Sequence, residues 1–386
     1  MTVESPDVLE AIVALVPAIR ARSAEIERLR RLPLDLVDDL AKAGVFRLLV
    51  PRSLAGHEAD VPSLLAVIEE LSAADGSTGW CAMIGATSGL VSGYLEPSVA
   101  REIYGDAGAI SGGVFAPRGK ARLQGDVYVA NGRWAFASGC EHCTYLMGGC
   151  VIMEGEEPKR GADGAPESRM LLFPPSQARI HDTWDVAGLR GTGSHDIEVR
   201  ELQVPVARAV SIVTDRPRAA GALYRFPIFG LLALGIAAVA IGVARRSIEE
   251  LQALARDKTP TGARRRLAER AAVQADVARA TAEVEAARSY VADVVGAAEE
   301  EAERGALGAQ TRVSLRLAAT HATLASAAAV DRMYDAGGGT SVYAASPLQR
   351  CFRDVHVATQ HVMVAPPTLE LTGRMLLGLD ADTSQL

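Results

Sequence analysis

Apolar residues recur at helical intervals along the first hundred positions. Val8, Ile12, Val13, Val16 and Ile19 fall on one stripe, and Leu36, Leu40, Val45 and Leu48 mark later turns. That spacing lines one face of a 3.6-residue helix. Pro33 and Pro51 punctuate these helices, and Ser72-Ala73-Ala74-Asp75-Gly76 interrupts the pattern before Gly79-Trp80. From 109 to 213 the texture becomes short apolar alternations broken by glycine: ARLQGDVYVANGRWAF, TYLMGGCVIM, RMLLFPP and IEVRELQVPV. These segments predict strands of a barrel or sandwich, with Asn131-Gly132 as a hairpin turn and the polar 154–168 stretch as a loop. After a linker at 214–221 the helical period returns over 226–255, 263–297 and 307–336. Gly337-Gly338-Gly339 then form a hinge before a final helix through His356.

The predicted fold is therefore mainly α with a central β-domain. A helical domain spans 1–108, the β-domain 109–213, and an antiparallel four-helix bundle 222–386. The stretch 226–244 holds nineteen residues without a charge and is followed by Arg245-Arg246, so it could pass for a membrane span. Its many small residues and the amphipathic helices after it favour a buried bundle helix.

With 386 residues, 49% of them apolar, the chain can bury several packed lobes. A net charge of −7 leaves no basic excess to neutralise phosphates, which argues against nucleic-acid binding. Five cysteines make no even disulfide framework, and the acidic start MTVESPDVLEAI lacks the plan of a signal peptide. A reducing cytoplasm is the expected location. Cys140-x-x-Cys143 with His142 and Cys150 lacks a second pair to complete four ligands, so no metal is expected.

Two of only seven histidines, His356 and His361, lie close to Arg353-Asp354 near the end of the helical region. Histidine is the side chain best suited to proton transfer near neutral pH. Four segments then occur in order: ADGSTGW at 74–80, GRWAFASGC at 132–140, WDVAGLRGTGSHD at 184–196 and SPLQRCFRDVHVATQH at 346–361. With this element order, the chain resembles the acyl-CoA dehydrogenase superfamily over nearly its whole length. It is most similar to the flavin-dependent monooxygenase branch, the two-component aromatic hydroxylases.

The branch rests on one position. A dehydrogenase of this superfamily carries a catalytic carboxylate in the bundle, and in this stretch it follows the Arg-Asp pair within Glu-Gly-Thr. Here VHVATQHVMVAPP has no carboxylate, and His361 stands eight residues after Arg353, where the hydroxylases place their catalytic histidine. An imidazole of pKa about 6.5 suits a phenol or a departing oxygen better than a weak carbon acid.

The resemblance implies that Ser138 bonds the flavin N5 edge and that Phe136, two residues back on the same strand face, packs on the ring. It also implies that Trp80, Gly113, Phe115 and the neighbouring Gly112 and Val114 border the pocket. Gly338, Gly339 and Thr340 would approach the cofactor. An arginine among Arg264, Arg265 and Arg266, with Gln274, would bind flavin phosphate, in its own or a neighbouring subunit. A solvated charge cluster is the plainer reading of that run, and His356 is either a substrate-side residue or a core histidine. Several hydroxylases of the branch carry another histidine shortly after the Gly-Trp. This chain has CAMIGATSGL there, with Thr87 or Ser88 near the place, which points to a different, polycyclic or indolic substrate.

The implied activity is hydroxylation of an electron-rich aromatic through a flavin C4a-hydroperoxide. Reduced FAD or FMN would arrive as a diffusible co-substrate from a separate reductase, with O2 as oxidant. No Gly-x-Gly-x-x-Gly follows a strand, in keeping with an enzyme lacking its own nicotinamide site. The resemblance implies a homotetramer. A desaturating dehydrogenase and a catalytically silent partner subunit remain the alternative readings.

Overall fold

The computed structural model describes residues 5–161, 164–384 and 386. The described residues open with the α-helices α1 (Ser5–Leu29), α2 (Leu34–Lys42), α3 (Val61–Ala74), α4 (Gly76–Ser88) and α5 (Pro97–Tyr104). The face of α1 that packs inward is Val8, Ile12, Ile19 and Ile26, whereas Val13, expected on that stripe, is 52% exposed. A stripe one residue wide per turn is enough to dock a long helix, so the extra apolar position stays in solvent. Asp75 breaks the line between α3 and α4 with an extended backbone, and its carboxylate accepts the Thr78 amide at 2.9 Å, capping α4.

Among the described residues eight strands follow: β1 (Ser111–Gln124), β2 (Val127–Ala137), β3 (Tyr145–Glu154), β4 (Glu157–Pro158), β5 (Ser168–Phe173), β6 (Arg179–His181), β7 (His195–Pro205) and β8 (Ala209–Val210). They form one mixed sheet in the order β6-β7-β2-β1-β3-β5-β8, with β4 beside β3. β1 and β3 run parallel, so a chain of simple hairpins does not describe the sheet.

The hairpin between β1 and β2 turns at Gly125-Asp126, where Gly125 has φ +63°. Asn131-Gly132, expected to turn, instead lies inside β2. Two cross-strand contacts hold it there: Asn131 accepts the Glu201 amide at 2.9 Å, and its own amide group donates to the Glu201 carboxylate. Gly132 is needed for space, because a Cβ there would meet the Trp134 indole at 2.6 Å. Trp134 is fully buried and donates to the Gly149 carbonyl at 2.7 Å. Truncating so large a core side chain costs about 3–5 kcal/mol.

The chain closes with α6 (Ile228–Asp257), α7 (Ala271–Arg304), α8 (Ala309–Gly337), α9 (Pro347–Ala358) and α10 (Pro367–Leu376). By length and composition α6 and the α8 region could each cross a membrane, yet most of both apolar windows is buried inside the molecule. α6 packs against α3, α8 and α9. Its small residues allow that closeness: a Cβ at Gly242 would stand 2.4 Å from the Glu69 carbonyl of α3. Arg264, Arg265 and Arg266 are exposed and do not open α7 as the sequence pattern implied, since a 3-10 turn at Leu267–Glu269 follows them and α7 starts only at Ala271.

Candidate active site

The site is built where the end of β2 is forced out of register. Trp134 pairs with Ile197 and Ala137 with His195, so β2 carries one residue more than β7 over this step. The surplus is taken up at Phe136, whose φ of +67° is costly for a bulky residue, about 1–3 kcal/mol. This bulge breaks the alternation that would have put Phe136 and Ser138 on one face. Phe136 projects outward, 71% exposed, with its ring edge-on to Trp184 at 6.1 Å, while Ser138 turns inward and is 5% exposed.

Around the Ser138 hydroxyl three motifs meet. From α4, the Trp80 indole N–H donates to Ser138 Oγ at 3.0 Å. From the 184–196 segment, Ser194 Oγ lies 2.7 Å from Ser138 Oγ and Thr192 Oγ1 lies 2.7 Å from Ser194 Oγ. From the turn after α9, the His361 ring packs edge-on against Trp80 at 5.8 Å. Gly112 of β1 borders the same place: a Cβ there would lie 3.6 Å from the Ser138 carbonyl and 3.7 Å from Ile84.

His361 is held by its own turn. Its Nδ1 accepts the Met363 amide at 3.3 Å, and the buried Arg316 guanidinium donates to the Met363 carbonyl at 3.0 Å. Burial, and then the Arg316 charge, push the imidazole down to about 4, so it is neutral at pH 7. With Nδ1 occupied as an acceptor, the ring proton sits on Nε2. The ring is thus set to donate a hydrogen bond, and acting as a base through Nε2 first requires giving up the Met363 contact.

The Arg353–Asp354 pair clamps this arrangement together from outside it. Asp354 is buried and accepts the Leu189 amide at 2.6 Å, and Arg353 donates to the Ala187 carbonyl and to Glu27 of α1 at 2.6 Å. Arg350 reaches the same Glu27 at 3.0 Å. Across the segment, Gly191 N–H donates to Ser77 of α4 at 3.1 Å, and Gly139 N–H donates to the Thr192 carbonyl at 2.9 Å. The turn carrying Thr192 and Ser194 is thereby fastened to α4, to α9 and to the turn just past β2 at once. Burial, reinforced by the nearby Asp75, pushes the Asp354 carboxyl up to about 7.

Other expected positions are not gathered here. His356 faces α8, bonding Asp331 at 2.7 Å and packing on Phe352. Gly113 presses on the Met147 backbone, and Phe115 joins a separate apolar cluster around Met147 and Leu172. Strand alternation leaves Gly112 and Val114 on the other face, Val114 packing with Ile84 against the main core. Ser88 is buried two turns beyond Trp80 on α4, its carbonyl 3.5 Å from the Tyr104 hydroxyl. Gly338 and Gly339 are exposed, and Thr340 borders an open groove of about 500 Å³ beside Asp257 and Tyr343. Arg264 is exposed in its loop, and Gln274 is spent on the Ala268 carbonyl at 2.9 Å. Cys140 and Cys143 each donate to a backbone carbonyl, of Gly193 and Gly139 respectively.

Sequence reasoning missed Thr192, Ser194, Asp354 and Arg316 as parts of the site. Their signal was present, since three lie in two of the four segments that carried the resemblance, but nothing local distinguishes a hydroxyl in a chain from a hydroxyl in a turn.

A flat ring with a polar edge fits this place. Phe136 offers an uncovered aromatic face, and Ser138 offers a hydroxyl oxygen backed by buried partners. Residues 14–97 match the family profile for the acyl-CoA dehydrogenase N-terminal domain, and residues 234–366 that for the C-terminal domain. An indole-3-acetate monooxygenase from Pseudomonas putida is 32% identical over 373 residues, covering 95% of this chain and 93% of its own. Among solved structures, the HsaA monooxygenase from Mycobacterium tuberculosis superimposes with a TM-score of 0.90 at 26% identity, covering 100% of both chains. XiaF from Streptomyces sp., in complex with FADH2 and glycerol, does so with a TM-score of 0.89 at 26% identity, covering 98% of this chain and 97% of its own.

Proposed function

The chain belongs to the acyl-CoA dehydrogenase family and, within it, to the flavin-dependent monooxygenases, and from that premise we propose that it is the oxygenase component of a two-component system acting on an indolic or polycyclic aromatic. The observation that carries the reading is the convergence of Trp80, Ser138 and His361 from three distant segments onto one spot. Reduced flavin, FAD or FMN, is the diffusible co-substrate, made by a separate reductase, and supplies the activation of O2.

The residues divide the remaining work. Ser138 meets the N5 edge of the ring, and Phe136 covers its apolar face. Trp80 fixes Ser138 by one hydrogen bond and walls the pocket with its indole. His361, neutral and carrying its proton on Nε2, donates to the oxygen being transferred or to the substrate hydroxyl. The exposed Gly338 and Gly339, the half-buried Thr340 and Arg264 serve the outer part of the cofactor across a subunit contact. Exposed Val342, Tyr343, Val362 and Leu377 on the helical bundle support assembly, for which a homotetramer is the proposed form.

Thioester desaturation fits less well. It needs a free carboxylate at the ring, whereas the buried Asp354 is engaged with Leu189 and the buried Asp75 caps α4.

The decisive experiment supplies chemically reduced flavin and 18O2 to the purified protein with indole-3-acetate and related aromatics. One 18O atom in the product, without any nicotinamide, supports the assignment. Desaturation of an acyl thioester, or product oxygen drawn from water, overturns it.

A further inference from the structure

The hydroxyl groups behind Ser138 have their protons ordered by geometry. Thr192 Oγ1 lies 2.8 Å from the Leu189 carbonyl oxygen. Two oxygens that close repel unless a hydrogen lies between them, and only Thr192 has one to give. Its single proton is therefore committed to Leu189. Thr192 can then only accept from Ser194, at 2.7 Å, which commits the Ser194 proton. Ser194 in turn can only accept from Ser138, also at 2.7 Å, which commits the Ser138 proton. Ser138, Thr192 and Ser194 are 5%, 1% and 3% exposed, so water does not substitute for any of these bonds. Of the two lone pairs on Ser138 Oγ, Trp80 N–H occupies one. What remains on Ser138 Oγ is a lone pair without a hydrogen.

We propose that Thr192 and Ser194 are positioning residues for Ser138: they draw its hydroxyl proton inward and make it a pure acceptor toward flavin N5. The inference rests on the flavin site assigned above. In reduced flavin N5 carries a hydrogen, and in oxidised flavin it carries a lone pair. An acceptor at this point welcomes the first and repels the second. The chain thus builds into the protein a preference for the form that a reductase delivers, and helps keep hydrogen on N5 while oxygen chemistry proceeds.

Equilibrium binding reads this directly. Dissociation constants for oxidised flavin, and anaerobically for reduced flavin, are measured on the parent, Ser194→Ala, Thr192→Val and Thr192→Ser. Ser194→Ala leaves the Ser138 proton without its inward acceptor. Thr192→Val leaves the Ser194 proton to turn on Ser138, pushing the Ser138 proton outward. Both changes let Ser138 donate to oxidised N5. The ratio of oxidised to reduced dissociation constants should fall roughly 3- to 10-fold in both, the worth of one hydrogen bond, mainly through tighter oxidised binding. Thr192→Ser keeps the chain and should keep the ratio. Equal weakening of both forms, with the ratio unchanged, would reduce the two hydroxyls to packing and overturn the proposal. If Ser194→Ala does not fold, the contrast between Thr192→Val and Thr192→Ser decides the matter alone. A parent that binds neither form instead refutes the flavin site itself, which is a separate outcome.

Discussion

Replacing Asp354 by asparagine tests the clamp on which the site depends. Asp354 is 5% exposed, and burial, with the Asp75 charge adding to it, outweighs the Leu189 N–H and Arg353 in pushing its carboxyl up to about 7. An unfolded aspartate titrates at about 3.9. Between those values the folded chain holds a proton that the unfolded chain has released, so this group's contribution to stability falls as pH rises through the window. Some three pKa units at 1.36 kcal/mol each set a ceiling of about 4 kcal/mol. Asparagine keeps an oxygen for the Leu189 amide and never ionises. Asp354→Asn should therefore match the parent only below about pH 4, where the carboxyl is protonated in both states, and exceed it by about 1–4 kcal/mol at about pH 8. Asp354→Ala leaves the Leu189 N–H without its acceptor and should fall about 1–3 kcal/mol below the asparagine variant at both pH values. Urea unfolding followed by tryptophan fluorescence measures all three proteins. An asparagine variant less stable than the parent at pH 8 would mean the carboxylate is ionised and well paired in the fold, and the burial argument would be wrong.

Ser138→Ala should raise the hydrogen peroxide released per substrate oxidised and leave the Trp80 N–H unsatisfied, costing about 1–3 kcal/mol of stability; unchanged coupling by peroxide and product assay would remove Ser138 from N5. His361→Ala should slow oxygen transfer roughly 10²–10⁴-fold with flavin binding nearly intact, and full coupled activity would make the imidazole structural. His356→Ala, which breaks the Asp331 bond and the Phe352 contact but nothing at Ser138, should keep most of the activity, and an equal loss would return His356 to the site. His142 and His361 are both held down to about 4 by burial, so the unfolded chain takes up protons there that the fold refuses and stability drops as pH falls below about 6.5; urea midpoints between about pH 4.5 and 6.5 should show that acid loss more steeply in Asp354→Asn, where the opposing carboxyl is gone.

Much of the architecture was legible from local periodicity. The helical stripes, the strand-rich middle and the long small-residue helix at α6 are properties of neighbouring residues, and neighbours set them. The four segments, in order, were enough to single out Trp80, Ser138 and His361, because a motif preserves chemistry as well as spacing. Where the reading departed from the molecule, a distant partner had intervened. Asn131-Gly132 would turn in isolation, but Glu201 and the Trp134 ring hold it straight. Strand alternation would pair Phe136 with Ser138, but the bulge against β7 parts them. His356 and His361 stand five positions apart, yet one closes on Asp331 of α8 and the other on Trp80 of α4. The proton order behind Ser138 lies furthest from the sequence. It depends on oxygen–oxygen distances among Ser138, just past β2, and residues of the 184–196 segment, and those distances exist only once Asp354, Ser77 and Gly139 have fastened that segment in place. Residue types and their spacing determined which groups were available; packing decided which of them face one another, in which direction their protons point, and so what the site can do.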